Sequence, residues 1–135
     1  MFNPRFPHVM HVLRAKTAPD GALVYGEDGS PSYERLELTL VEMRDSEPVR
    51  DSEGMFVTYA SDEIPFGYRT SSQNTSRAGD VVQADYKLAC PMLLTELRPD
   101  DILVLKDYER EFRAVVVKKT TFNLGTNVWV NEARN

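Results

Sequence analysis

Apolar and polar residues alternate with a period of two in several parts of this chain. Within residues 33–43, leucines at positions 36, 38 and 40 alternate with Glu37 and Thr39. Such alternation is typical of a β-strand with one buried face. A helix opening at Ser30 and Pro31 is the alternative, because glutamate, arginine and leucine favour helices. A helical period would scatter the three leucines over the helix surface, so the pattern favours a strand.

The alternation recurs towards the C-terminus. Residues 81–90 carry one row of side chains on a single face: Val82, Ala84, Tyr86, Leu88 and Cys90. Shorter apolar runs predict further strands at residues 8–13, 22–25, 55–59, 102–105, 111–119 and 126–130. Asp20-Gly21 and the segment Gly26 to Gly29 predict turns on either side of residues 22–25, because glycine readily adopts a positive φ.

Two segments are less regular. Pro65 and Gly67 argue against a regular central strand at residues 64–70, and residues 92–97 fit a bend or a single helical turn. Neither an internal repeat nor a β–α–β alternation is visible. The predicted fold is therefore mainly β: one domain over residues 1–135, a small antiparallel β-barrel or sandwich with long loops and at most one or two short helical turns.

Two polar segments are not needed for such a core. Residues 44–54 are charged and contain Pro48, which predicts a loop or an open hairpin; residues 71–79 have one alanine as their only apolar side chain, which predicts a mobile loop. Because both segments are long and polar, they are the predicted regions of partner contact, with these residues as candidates: Arg44, Asp45, Glu47, Arg50, Asp51, Gln73, Asn74 and Arg77.

Composition narrows the class of protein. The net charge of −5 argues against a dedicated nucleic-acid binder, which needs a basic face. A single cysteine excludes an internal disulfide and a cysteine-based zinc site, and indicates a reducing compartment. The first residues lack the apolar core of a signal peptide, and no apolar run approaches the roughly 20 residues of a membrane-spanning helix.

No group of residues forms a convincing catalytic or metal site. His8 and His11 would point to opposite faces of a strand, and Cys90 fits a small buried residue better than a nucleophile. The pair Asp100-Asp101, which follows a proline, fits a turn better than a cation site. Glycine-rich phosphate-binding motifs are absent. We therefore expect no enzyme activity, no metal and no cofactor.

Aromatic residues leave a second function open. Five of them could stack the bases of a single-stranded nucleic acid on a barrel surface, or could simply fill a small barrel: Tyr33, Tyr59, Tyr68, Tyr86 and Phe112. No basic stripe accompanies them, which favours the structural interpretation. Trp129 should point away from both Val128 and Val130, into a core or an interface.

Four segments carry a resemblance to a known family: Val82 to Pro91, the corner Arg98 to Ile102, the hairpin strand Arg110 to Val117, and Leu124 to Glu132. Together they resemble the head–tail joining, or head-closure, connector proteins of tailed bacteriophages. In that family a strand that ends near a proline leads into a tight acidic corner, a strand, a short hairpin and a closing strand. Asp100 stands where the corner usually has glycine. The resemblance covers residues 80–132.

The resemblance implies a structural protein of virion assembly. Such a β-barrel adds to the portal vertex after DNA packaging, closes the head and offers a platform for the tail. The implied partners are portal or adaptor proteins and tail proteins, with copies forming a ring through which DNA passes without sequence-specific binding. We expect a monomer in isolation, no membrane association, and a location in the host cytoplasm during assembly and then in the virion, encoded by a phage or a prophage. The alternative is a small β-barrel module that binds single-stranded nucleic acid or a small ligand.

Overall fold

The structure, a computed structural model, describes residues 6–45, 47–69, 84–122 and 125–133. These residues form eleven β-strands: β1 His8–Ala15, β2 Tyr33–Arg35, β3 Leu38–Val41, β4 Met43–Arg44, β5 Glu47–Pro48, β6 Thr58–Ser61, β7 Ile64–Arg69, β8 Tyr86–Cys90, β9 Ile102–Lys106, β10 Glu111–Phe122 and β11 Gly125–Glu132. In the part of the chain that is described, no helix is long and apolar enough to cross a membrane. The mainly β fold class is confirmed.

Six strands close into an antiparallel barrel. Their order around the barrel is β1-β7-β8-β11-β10-β9, and β9 returns to β1 through five paired residues, from Val9 opposite Lys106 to Leu13 opposite Ile102. The seventh strand of the sheet, β2, pairs with the end of β1 beyond the part that pairs with β7. Closure satisfies the main-chain donors and acceptors that an open sheet would expose at its edges.

The alternation in the sequence directs one row of each barrel strand inward. Buried side chains from these strands form a single apolar cluster that includes Met10, Val12, Phe66, Leu88, Leu103, Leu105, Val116 and Val130. Tyr86, Leu88 and Cys90 share one face of β8, as predicted, and Phe112, Ala114 and Val116 share one face of β10. Trp129 points away from Val128 and Val130, as predicted, and is only 1% exposed although it lies on the outer face.

One end of the barrel is filled by added elements. Leu38 and Leu40 of β3 join the core cluster together with Leu93 and Leu97 of the segment that follows β8. The main chain holds these two segments together: Leu40 bridges Leu93, and the amide of Leu94 donates to the carbonyl of Thr39. We call this the arm end, because both arms described below leave the barrel here. Residues 92–97 form bends and a bridge instead of a helical turn.

Residues 64–69 form a barrel strand, β7, although not a strand paired along both edges throughout. Its first half, Ile64 to Phe66, pairs with β1, and its second half, from Gly67, pairs with β8. Each half is therefore paired along one edge only, which is the kind of position in a sheet where proline is tolerated.

The strand predicted over residues 33–43 is divided into three. β2 pairs with β1, β3 pairs with β6, and β4 pairs with β5, so the chain changes partner at residues 36–37 and again at Glu42. The strand conformation and the common inward face of the leucines are confirmed, with Leu38 and Leu40 fully buried. Likewise the short strand expected at residues 55–59 is displaced to Thr58–Ser61.

A buried ion pair fastens the arm end. Arg14 at the end of β1 donates to both carboxylate oxygens of Asp101, at 2.9 and 2.7 Å, and also to the carbonyl of Glu96. Asp101 is 4% exposed and accepts a further hydrogen bond from the amide of Arg98. The corner at residues 98–101 is thus a turn, as predicted, and Asp100 within it has a φ of 76°, a conformation that glycine favours.

Replacing Asp101 should therefore destabilise the protein strongly. Asp101→Asn leaves the Arg14 guanidinium without its carboxylate in a partly buried place, and we expect a loss of about 3 kcal/mol in the free energy of unfolding, measured in urea. Asp62→Asn is the matched control, because Asp62 pairs with Arg35 at 3.3 Å on the surface; it should cost less than about 1 kcal/mol. Equal small losses would contradict the role given to Asp101.

Gly125 should tolerate no larger residue. Its φ is 150°, and a Cβ built there would lie 2.7 Å from the carbonyl oxygen of Cys90, a main-chain atom of β8 that cannot move away freely. We expect Gly125→Ala to lower the free energy of unfolding by about 3 kcal/mol. Gly21→Ala, with a φ of 86° but open space around the new Cβ, should cost only about 1 kcal/mol. A Gly125→Ala protein as stable as Gly21→Ala would contradict this account.

Candidate functional site

Two branched excursions leave the barrel at the arm end. Arm 1, residues 16–32, lies between β1 and β2; arm 2, residues 42–57, lies between β3 and β6. Both are continuations of antiparallel pairs, since Ala15 pairs with Tyr33 at the base of arm 1 and Val41 pairs with Thr58 at the base of arm 2. Neither arm forms part of the barrel wall, so the outer surface of each arm is available for contact.

Arm 1 is held by a ring of three main-chain hydrogen bonds. The amide of Lys16 donates to Ser32, that of Ser32 donates to Val24, and that of Val24 donates to Lys16, at 2.8–3.0 Å. The chain between these three residues forms two small hairpins, one closed by the bridge between Thr17 and Leu23 and one by the bridge between Tyr25 and Pro31. The arm is therefore a three-way junction of a stem and two hairpins.

Arm 2 repeats this junction. The amide of Glu42 donates to Val57, that of Val57 donates to Val49, and that of Val49 donates to Glu42, at 2.8–2.9 Å. Its first hairpin is β4–β5, and its second is closed by the bridge between Arg50 and Phe56. The direction of the three bonds is the same in both arms, so the structure contains a repeated motif that the sequence did not reveal.

The turns of the second hairpins also match. Gly26 donates to Ser30 and Gly29 donates to Gly26 in arm 1, as Asp51 donates to Met55 and Gly54 donates to Asp51 in arm 2. Gly29 and Gly54 have φ values of 82° and 81°. The one sequence signal is an acidic residue followed by glycine, Asp28-Gly29 and Glu53-Gly54, repeated after 25 positions. The hydrogen bonds of the two junctions and of these two turns join main-chain atoms, which explains why the rest of the sequence differs between the arms.

Aspartate side chains stabilise these turns. Asp28 accepts hydrogen bonds from the amide and the hydroxyl of Ser30, and these bonds lower the pKa of Asp28. In arm 2 the carboxylate of Asp51 accepts from the amides of Glu53 and Met55, at 2.9 and 3.0 Å. The main chain orients both carboxylates.

Five of the predicted contact residues lie together on arm 2. Arg44, Asp45 and Glu47 are exposed at the tip of the β4–β5 hairpin, and Arg50 and Asp51 are exposed in the second hairpin. The Arg50 guanidinium lies 4.2 Å from the centre of the Phe56 ring and donates to the carbonyl of Gly54, so it is oriented along the arm. The other three candidates, Gln73, Asn74 and Arg77, and the predicted mobile loop at 71–79 lie outside the described residues.

Sequence reasoning did not identify arm 1 as a contact region, because the apolar character of residues 22–25 predicted a strand. Leu23, Val24 and Tyr25 are instead 45%, 37% and 59% exposed. On arm 2, Met55 is 63% exposed. Large apolar side chains exposed on both arms are typical of interaction surfaces more than of a free, soluble hairpin.

The opposite end of the barrel, which we call the mouth, is filled by aromatic side chains. Tyr68 lies 5.8 Å from Tyr86, and Tyr86 lies 5.7 Å from Phe112, measured between ring centres. His8 contacts Tyr68 and Tyr108 from the first barrel strand. Three of the five aromatic residues considered for base stacking thus converge here, whereas Tyr33 and Tyr59 lie on β2 and β6.

Arg110 and Asp107 of the β9–β10 turn fasten this cluster. Arg110 lies 3.9 Å above the centre of the Phe112 ring and donates to the Tyr86 hydroxyl and to Glu132. Asp107 accepts from the Tyr68 hydroxyl at 2.8 Å, and burial together with this bond raises the pKa of Tyr68. The rings pack on one another, and the hydroxyls of Tyr68 and Tyr86 are bonded within the chain, whereas the buried Nδ1 of His8 has no hydrogen-bond partner among the described residues.

The remaining chemical candidates are dispersed. Cys90 is fully buried, and desolvation raises the pKa of its thiol to about 12, which confirms its interpretation as a small core residue. Desolvation and then Arg35 lower the pKa of His11. Glu109 and Glu111 are both exposed. Among the described residues, no group of three or more histidine, cysteine, aspartate or glutamate side chains could hold a metal ion.

The protein is a small closed antiparallel β-barrel with two branched arms at one end and an aromatic mouth at the other. Comparison with models of protein families, with curated proteins and with solved structures finds no match.

The mouth makes a pH-dependent contribution that can be measured. Hydrogen bonds from the amides of Glu109 and Arg110, and then from Tyr68, lower the pKa of Asp107. A lowered pKa in the folded state stabilises the protein above the ordinary carboxylate pKa, and this stabilisation is lost as the pH falls through the lowered pKa. Asp107→Asn should therefore be less stable than the parent protein at about pH 7 and equally stable at about pH 2, in urea denaturation. Glu109→Gln is the control; a difference for Asp107→Asn that does not depend on pH would contradict the assignment.

Proposed function

We propose that this protein is a structural component of tailed-phage assembly that joins or closes the head at the portal vertex and provides the platform for tail attachment. The observation that carries the proposal is the arm end: a closed barrel presents two exposed arms at one of its ends. A protein that acts as a joint needs contact surfaces that do not disturb its core, and the arms meet this need.

The resemblance over residues 80–132 supports the same function. These residues include β8, β9, β10 and β11, four consecutive barrel strands, together with the acidic corner before β9. Asp100, which stands where the corner of that family usually has glycine, has a φ of 76°, a conformation that glycine favours.

The proposed partners are portal or adaptor proteins on one side and tail proteins on the other. Copies would form a ring on the vertex and remain separate in dilute solution, because a net charge of −5 on a small domain opposes clustering. The protein would act in the host cytoplasm during assembly and then in the virion.

A second function, binding of single-stranded nucleic acid or a small ligand, is favoured by one observation, the convergence of Tyr68, Tyr86 and Phe112 at the mouth. Two features of the mouth oppose it. The aromatic rings pack on one another in tilted pairs, with ring centres less than 6 Å apart, and Arg110 is held by Glu132 and Tyr86. A bound base would have to displace these contacts.

Deleting the gene from the phage or prophage that encodes it, together with a binding assay, should distinguish between the two proposed functions. We expect DNA-filled heads and free tails that do not join, seen by electron microscopy, and restoration by a tagged copy that labels the head–tail interface. A fluorescent single-stranded oligonucleotide should show no saturable binding at physiological salt. Normal tailed particles without the gene would exclude the proposed function, and saturable oligonucleotide binding that Arg110→Ala abolishes would favour the alternative.

A further inference from the structure

The charge of this protein is divided unequally between the arms and the barrel. Residues 16–32 and 42–57 contain eight carboxylates, namely Asp20, Glu27, Asp28, Glu42, Asp45, Glu47, Asp51 and Glu53, and three basic residues, Lys16, Arg44 and Arg50. The balance of the two arms is −5, which equals the net charge of the whole chain. All other residues together have no net charge, so the net negative charge of the chain lies on the arms.

From this charge, the repeated junction and the exposed apolar side chains, we propose that the two arms form one two-pronged docking surface for a protein with a basic face. Leu23 and Tyr25 on arm 1 and Met55 on arm 2 would enter apolar pockets of the partner, surrounded by lysine or arginine side chains that meet the carboxylates. Exposed apolar anchors inside a polar rim are the usual anatomy of a protein interface.

Charge selects this partner over other occupants. Nucleic acid and anionic membranes are negatively charged and would be repelled by both arms. A second copy would bring arm against arm, or an acidic arm against a barrel with no net charge, and either arrangement offers less complementary charge than a basic face. A basic protein face supplies the positive charge that complements the carboxylates of the arms.

The two junctions make the docking surface rigid. In each arm three main-chain hydrogen bonds join stem and hairpins, and an aspartate secures the second turn. The partner therefore meets two preformed prongs on one end of one barrel, and binding by the second prong follows at a high effective concentration once the first has bound. This inference deepens the proposed function, on which it rests only for the identity of the partner.

The electrostatic part is tested with a defined basic probe, a ten-residue lysine peptide. The arm variant Glu27→Gln, Glu53→Gln removes two charges from the arms. Its control, Glu109→Gln, Glu111→Gln, removes two charges from the opposite end of the barrel, so both proteins have the same net charge. All four glutamates are exposed, and within the described residues none of their carboxylates forms a salt bridge.

In calorimetric titration at low salt, the arm variant should bind the peptide several-fold more weakly than the parent protein, and the control should bind nearly as well as the parent. Equal weakening of both variants would overturn the proposal, because the field would then belong to the whole molecule. Circular dichroism identical to that of the parent establishes that the variants are folded.

The docking itself is tested by photo-crosslinking in the producing cells. A benzophenone side chain replaces Tyr25 on arm 1, Met55 on arm 2 or, as control, Tyr108 at the mouth, which is 76% exposed. We expect the two arm positions to crosslink to the same protein at segments rich in lysine and arginine, and Tyr108 not to crosslink to those segments. Links between copies of this chain, links to two unrelated proteins, or no link from either arm would overturn the proposal.

The identity of the crosslinked protein separates this inference from the proposed function. A portal, adaptor or tail protein supports both. A basic protein that belongs to no virion supports the docking surface and excludes the assembly function.

Discussion

The pairing of β1 with β9 is the interaction on which the rest of this structure depends. It joins the first strand of the chain to one that begins nearly ninety residues later, and it turns a six-strand sheet into a closed barrel. Closure pairs the edges of β1 and β9, through which an open sheet could otherwise pair with other chains.

The two ends of the barrel are finished in physically different ways. At the arm end, an apolar plug from β3 and the segment after β8 fills the interior, and the ion pair between Arg14 and Asp101 fastens the wall beside it. At the mouth, aromatic rings are held by side-chain bonds to Arg110 and Asp107. Apolar burial makes the first end dry and stable, whereas the half-exposed ring cluster closes the second.

The arms show how a surface feature can be repeated without a repeated sequence. Each junction depends on three bonds between main-chain atoms, which every residue except proline can make as donor, and on one glycine that adopts a positive φ. Side chains elsewhere on the arm are free to vary. Arm 1 therefore presents Leu23 and Tyr25, while arm 2 presents Met55 and a charged tip, on the same framework.

The period of the sequence determined the strand class, the inward rows of β8 and β10, the turns around Gly21 and Gly29, and the burial of Cys90, because alternation and turn chemistry are local properties. The charged residues of arm 2 could be recognised as exposed for the same reason: Arg44, Asp45, Glu47, Arg50 and Asp51. Only the tertiary structure decided which strands pair and that β7 accommodates Pro65. It also decided that residues 33–43 are divided among strands with three different pairing partners, and that Leu23 to Tyr25 remain exposed. Strand pairing and burial depend on residues far apart in the chain, and apolar character alone cannot say whether a partner strand lies over it.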